Sequence, residues 1–349
     1  MKKYFLIFTL TISLFAAPAA FAATTKTTTK PLESMFYYIP GSAAFASMQM
    51  YADKITILAP QAYTVDATGT LKGKLADQVI ALVAAKNIKV MPLIANQGFS
   101  QTVIHTILVS PDLQNKVIDQ LIAEAKLKNY IGWEFDFERI PATDRDAYSA
   151  FVELAASKFK AQNLRFSVAV LARTSENPSD LPAGSWDNWS GVYDYKRIGA
   201  AADFVSLMAY DMPDSTGPVA SMDWIKKTLT YVKKHIPANK ISLGIPTYGW
   251  QWDTDDKVKL KAVSWEKVNE LVVNKLYTKM GFDTKIGEGW ITYTEKLDFV
   301  TINYKIWFEN AKSFKLKYDF AKAQKLYGIS VWALGLEDDG LWVNFKKVH

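Results

Sequence analysis

From Met35 onward, short apolar runs alternate with stretches in which apolar residues recur at helical spacing. The runs predict β-strands at 35–39, 55–60, 89–94, 131–138, 165–171, 204–210, 241–246 and 328–334. The stretches between them predict helices at 75–86, 112–126, 144–161, 221–235 and 307–327. Strands separated by helices pair in parallel with right-handed crossovers. Eight is the count at which such a sheet closes, so the expected fold is α/β, a (β/α)8 TIM barrel. The open doubly wound alternative carries a Gly-rich phosphate turn after an early strand, and none occurs here. The stretch between the seventh and eighth runs exceeds one crossover. There, 263–276 reads as a helix, and 289–293 with 299–304 as a hairpin pair. A small α+β insertion over about 250–304 is therefore expected at the carboxyl rim of the strands, where barrel enzymes build their sites.

The fourth run alternates most strictly: Gly132-Trp133-Glu134-Phe135-Asp136-Phe137-Glu138. A strand sends successive side chains to opposite faces. Trp133, Phe135 and Phe137 then form an apolar face, while Glu134, Asp136 and Glu138 line the other, each roughly 7 Å from the next. Repulsion along such a row pushes the carboxyl pKa values apart, so one group can hold a proton near neutrality while its neighbour is charged. The sixth run ends in Tyr210-Asp211 and the eighth carries Trp332. Three strand ends thus supply carboxylic acids, a phenol and an indole. That set suits a sugar: an acid for a leaving oxygen, hydrogen-bonding groups for polar substituents, and a flat floor under a pyranose ring.

The amino terminus adds a location. Lys2 and Lys3 precede an apolar run at 4–15, and Ala20-Phe21-Ala22 fits a small-x-small cleavage site. The expectation is a signal peptide over 1–22, a Thr/Lys-rich leader over 23–33 and a catalytic barrel over 34–349, secreted or held in the cell envelope. The run is short for a retained membrane span. The chain has no Cys, which excludes disulfides and thiol chemistry. Its formal charge of +6 is scattered rather than gathered into a basic block, which argues against a nucleic-acid partner. His105, His235 and His349 are isolated, no Gly-x-Ser-x-Gly elbow occurs, and Asp253-Thr254-Asp255-Asp256 lacks the rest of a calcium loop. No metal and no cofactor are expected. Aromatic residues make up 13% of the chain, which serves sugar stacking and core filling alike.

With these motifs in place, the chain resembles glycoside hydrolase family 18, the family of chitinases and related N-acetylglucosaminidases. The family's strand-four pattern Asp-Gly-x-Asp-x-Asp-x-Glu aligns with Ile131-Gly132-Trp133-Glu134-Phe135-Asp136-Phe137-Glu138. Met208-Ala209-Tyr210-Asp211, Gly244-Ile245-Pro246-Thr247-Tyr248-Gly249 and Trp332 match the later strand ends. The segment Ile306-Trp307-Phe308-Glu309-Asn310-Ala311-Lys312-Ser313 looks especially like the bacterial spore-germination-hydrolase branch.

The resemblance implies a retaining hydrolase that cuts β-1,4 bonds after N-acetylglucosamine in peptidoglycan or chitin, with the substrate's acetamido oxygen as nucleophile. It implies Glu138 as general acid and base, Asp136 on the acetamido N–H, Tyr210 on the acetamido carbonyl and Glu134 tuning Asp136. Asp211 and Trp332 would bind substrate; Tyr248 could line the cleft or fill the core, and Trp250 leans towards the cleft rim or the insertion, so both are candidate substrate-binding residues. The partner is a polysaccharide, and a monomer is expected. Two positions depart from the pattern. Glu134 replaces an Asp but keeps the carboxylate, and Ile131 replaces an outer Asp on the face turned away from the row. The alternative is a lectin-like barrel that grips N-acetylglucosamine polymers without turnover. Lectin-like members have lost the residue corresponding to Glu138, so its presence favours an enzyme. Gln61 and Tyr63 could border the sugar site, but a loop role is expected; Glu309 could reach the insertion, but a helix-start charge is expected.

Overall fold

The computed structural model describes Met1 and residues 32–213 and 217–347, so the expected signal peptide beyond Met1 and residues 23–31 of the leader lie outside the described residues. The strands are β1 (Glu33–Tyr38), β2 (Ile57–Pro60), β3 (Tyr63–Val65), β4 (Leu71–Gly73), β5 (Lys89–Val90), β6 (Leu93–Asn96), β7 (Gly132–Phe135) and β8 (Arg165–Leu171). There follow β9 (Phe204–Met208), β10 (Ile241–Pro246), β11 (Gly249–Asp253), β12 (Val258–Val263), β13 (Lys279–Asp283), β14 (Glu288–Leu297), β15 (Val300–Phe308) and β16 (Gly328–Trp332). The helices are α1 (Ser42–Tyr51), α2 (Asp77–Ala85), α3 (Gln101–Leu108), α4 (Pro111–Lys128), α5 (Arg145–Ala161), α6 (Tyr195–Ala201), α7 (Met222–Val232), α8 (Trp265–Val273) and α9 (Ala311–Ala323).

One sheet runs β4-β3-β6-β7-β8-β9-β10-β16-β1-β2-β5, parallel except for the β3–β4 hairpin. The run expected over 89–94 is split at Met91-Pro92 into β5 and β6. Proline has no N–H for the ladder. Pairing nevertheless continues past the break, because Met91 N–H donates to Leu58 O (2.9 Å) and Glu134 N–H to Pro92 O (3.0 Å). The run thus joins β5, which pairs with β2 at one end of the sheet, to β6, which pairs with β3 and β7 near the other, and the sheet curls into a TIM-barrel-like α/β fold.

Alternation sorts the strand residues into two populations. Trp133, Phe135 and Phe137 are fully buried on the outer face, among Phe151 and Phe159 of α5. Trp133 Nε1 donates to Leu121 O of α4 (2.8 Å). A smaller cluster holds Met35, Tyr37, Ile57, Ala59, Met91, Leu93 and Phe204, the opposite phase of the same strands. Gly132 starts β7 because a Cβ there would lie 1.9 Å from Arg165 O of the adjacent strand.

A second sheet, antiparallel and ordered β12-β11-β15-β14-β13, falls in the chain between β10 and β16. Val268 and Leu271 of α8 pack on one face of it with Ile291, Ile306 and Phe308. The helix expected over 307–327 begins only at Ala311. Trp307 and Phe308 are committed to the β15 ladder, and Asn310 then forms a capping box with Ser313.

Candidate active site

The carboxylate row of the fourth run lies inside the curled sheet. Glu134 is fully buried and Asp136 nearly so, while Glu138 is partly exposed where the strand opens. Glu134 Oε1 accepts from Ser206 Oγ (2.5 Å) and Ser167 Oγ (3.0 Å). Ser206 meets Ser330 at 3.0 Å, and Ser330 meets Ser242 at 2.7 Å, so linked hydroxyls from β8, β9, β10 and β16 lie under Glu134. Burial raises the Glu134 pKa, and the serine hydroxyls oppose the rise.

Asp136 and Glu138 share a hydrogen bond. Burial pushes the Asp136 pKa well up, with Glu138 and Glu134 adding to the rise. Burial also pushes Glu138 up to about 7; Asp211 adds to this, while Arg139 opposes it. A carboxyl near 7 can give and take a proton at neutral pH. Tyr210 closes the group from the end of β9. Burial keeps its phenol protonated, and the nearby Asp136, Asp211 and Glu138 reinforce this. Its ring fits because residue 244 on β10 is glycine: a Cβ there would lie 2.8 Å from Tyr210 Cε1 and 2.5 Å from Leu207 O.

Asp211 is exposed and has a positive φ of 54°. Its Oδ1 accepts from both Tyr248 Oη (2.5 Å) and Trp250 Nε1 (2.7 Å), which joins three of the four expected binding residues at one atom. The fourth, Trp332, ends β16 and lies 5.0 Å between ring centres from Tyr37, a phenol that also feels Glu134. A cleft of about 590 Å³ opens over Glu138, Tyr210 and Asp211, walled by Pro182, Asn188 and Trp189 from the segment after β8. Arg173 anchors that wall. It is buried and donates to Ser190 O (2.6 Å), Tyr193 O (2.9 Å) and Glu176 Oε1 (2.6 Å).

Sequence reasoning missed several supporting groups. Asn96, at the end of β6, binds the Glu138 main chain on both sides. Glu138 N–H donates to Asn96 Oδ1 (3.1 Å), and Asn96 Nδ2 donates to Glu138 O (3.1 Å). Tyr193 Oη donates to Phe137 O (2.9 Å) and steadies the preceding residue. The four serines had a legible signal, since each is a lone hydroxyl within an apolar strand. The Asn96 contact had none.

Other singled-out residues lie elsewhere. Tyr63 bonds Tyr130 and Glu124 in the outer core, and Glu309 pairs with buried Lys317 (2.6 Å), which also faces Glu288 (3.9 Å). Asp253 caps its own turn, accepting from the N–H groups of Asp255 (2.9 Å) and Asp256 (3.1 Å). Among the described residues, no group of three His, Cys, Asp or Glu could hold a metal ion, and no helix is long and apolar enough to cross a membrane.

A curled parallel sheet with carboxyls, a phenol and an indole at its strand ends defines a barrel-type glycoside hydrolase. The model of the glycosyl hydrolases family 18 matches residues 32–337, and the chain belongs to that family. The uncharacterized glycosylase YvbX of Bacillus subtilis is 29% identical over 99% of both chains. The spore cortex-lytic enzyme SleL of Bacillus megaterium is 26% identical, with a TM-score of 0.80 over 91% of this chain and 74% of that one. A chitinase from Chromobacterium violaceum is 27% identical, with a TM-score of 0.79 over 89% and 97% of the two chains. The chain is a glycoside hydrolase that fits the spore-germination-hydrolase-like branch.

Proposed function

We propose that this protein is a secreted, retaining hydrolase that cleaves β-1,4 linkages after N-acetylglucosamine in peptidoglycan or chitin-type polymers by substrate-assisted catalysis. The observation that carries this reading is the hydrogen-bonded pair of Asp136 and Glu138, with Glu138 near pH 7 and the Tyr210 phenol beside it. Glu138 gives its proton to the leaving glycosidic oxygen. As that bond breaks, the acetamido oxygen of the −1 sugar attacks its anomeric carbon and closes an oxazolinium ring. Asp136, once its own proton has passed to Glu134, accepts the acetamido N–H and offsets the positive charge, while Tyr210 donates to the acetamido oxygen and aims it. Glu138, now ionised, takes a proton from water as the water opens the ring, and the original anomeric configuration returns. No cofactor enters. Glu134, on its serine bed, holds Asp136 in a state that can trade a proton with Glu138.

Trp332 would floor the sugar ring, and Asp211, Tyr248 and Trp250 would shape its edge. In this reading the molecule is a monomeric (β/α)8 barrel over 34–349, freed of residues 1–22 on export, with the second sheet as an insertion over about 250–304 that walls the groove. The test is mass spectrometry of products from chito-oligosaccharides and from glycan strands of peptidoglycan, with Glu138→Gln as control. Products ending in reducing N-acetylglucosamine are expected from the wild type and none from the variant, which keeps its oligosaccharide binding. Near-normal turnover by the variant sinks the assignment. Binding without products from the wild type points instead to a lectin.

A further inference from the structure

The second sheet carries a feature that the proposed chemistry does not use. β11, β15 and β14 lie side by side, and their register sets Trp250 opposite Trp307 and Trp307 opposite Trp290. Residues in cross-strand register share a face, so three indoles stand in one row. Strand spacing makes that row about 10 Å long. The other face is the one that α8 covers. Trp250 and Trp290 are partly exposed, while Trp307 is buried between them.

Cations stand on these rings. Lys259 Nζ lies 3.8 Å from the Trp250 ring centre, and Lys305 Nζ lies 3.9 Å from that of Trp307 and 5.6 Å from that of Trp290. Neither ammonium takes part in an ion pair among the described residues. The nearby carboxylate, Asp283, spends Oδ1 on the N–H groups of Lys285 and Ile286, both at 2.9 Å. Lys305 is half-buried; desolvation lowers its pKa, and the Asp283 charge opposes this. The protein thus withdraws a cation from water between two indoles; Asp283 acts on it from a distance, but no carboxylate is within ion-pair reach among the described residues. At its inner end the row is tied to the candidate site, because Trp250 Nε1 donates to Asp211.

We propose that this face is a subsite for a glycan strand bearing carboxylates on its sugars, in which Trp290 meets a sugar face and Lys305, with Lys259 over Trp250, takes the carboxylate. The lactyl ether of a muramyl residue is such a group, and a chitin chain has none. The proposal rests on the hydrolase reading above and chooses between its two polymers.

Affinity is measured on the Glu138→Gln protein with two soluble probes of equal length: a neutral N-acetylglucosamine oligomer, and a peptidoglycan glycan strand with free lactyl carboxylates. The carboxylated strand is expected to bind more tightly, by a margin that shrinks as salt rises. Lys305→Gln should cut the ratio of the two affinities about fivefold, and Lys305→Arg should restore it. Lys259→Gln provides the same comparison if the Lys305 variant does not fold. Equal affinities for the two probes, or a ratio unmoved by these substitutions in folded protein, overturn the proposal. Because affinity is read without turnover, an inactive wild type would defeat the hydrolase reading while leaving this result to stand or fall alone.

Discussion

Asn96 offers a sharp test of how the site is held. Its side-chain amide makes two hydrogen bonds to the main chain of Glu138 and one to Ser100 O, all at 3.1 Å, and the residue is 1% exposed. Asn96→Ala removes all three and leaves the Glu138 N–H without a partner. Net hydrogen bonds are worth about 1 kcal/mol each, so the three together come to about 3 kcal/mol. It should appear as a lower melting temperature. Turnover should fall separately, because freeing the strand end by about 1 Å can cost about 100-fold in kcat while KM changes little. Asn96→Asp separates position from charge. It keeps an acceptor for the Glu138 N–H but places a new carboxylate beside Glu138, so the alkaline limb of the pH profile should move upward. A kcat for Asn96→Ala within twofold of wild type, with only the melting temperature lowered, would refute the clamp.

If Glu138 acts as the acid, activity falls as pH rises through about 7, where it loses its proton. Asp211→Asn removes a charge that raises the Glu138 pKa, and Arg139→Gln removes one that lowers it, so the alkaline limb should shift down in the first and up in the second when kcat/KM is followed against pH. Gly244→Ala drives a methyl group against Tyr210 and Leu207 O; overpacking of this kind costs about 1–3 kcal/mol, and turnover should drop at least tenfold, roughly, with the ring displaced. Lys317→Met leaves Glu309 and Glu288 buried without their cation, which should cost about 3 kcal/mol in chemical denaturation. Glu288 has a folded pKa raised to about 8, so its contribution already falls as pH climbs from the unfolded value towards 8, and the variant's deficit should widen above that pH as Glu288 ionises.

Strict alternation made the centre of the molecule readable. From Trp133 to Glu138, a period of two already separates the residues that face the helices from those that face inward, and the strand expected over 165–171 is β8 itself. Legibility fails where a contact depends on distant chain. Nothing in the neighbours of Asn96 announces that it will meet Glu138, 42 residues away. The β3–β4 hairpin is only three residues per strand, too short for any period to register. In the second sheet, Trp250 and Trp252 alternate with Gly249 and Gln251, but that pattern becomes a strand only once β12 and β15 flank it. The early helix start at 307 had a related cause. Trp307 and Phe308 fit a helical face as well as a strand, and the long partner strand decides.

The linked serines beneath Glu134 give the site a kind of electrical compliance. A hydroxyl can donate or accept, and it changes role by rotating one hydrogen. From Ser242 through Ser330 to Ser206, each oxygen already has its neighbour at bonding distance, and the chain ends on Glu134 Oε1. When a proton arrives at or leaves the carboxyls above, this column can reverse its polarity without any heavy atom shifting. A bed of Val or Leu at the same four places would fill the space equally well but could answer a change of charge only by moving. The sheet can therefore remain close-packed around a cluster whose charge changes, because the adjustment is carried by the lightest atoms in the interior.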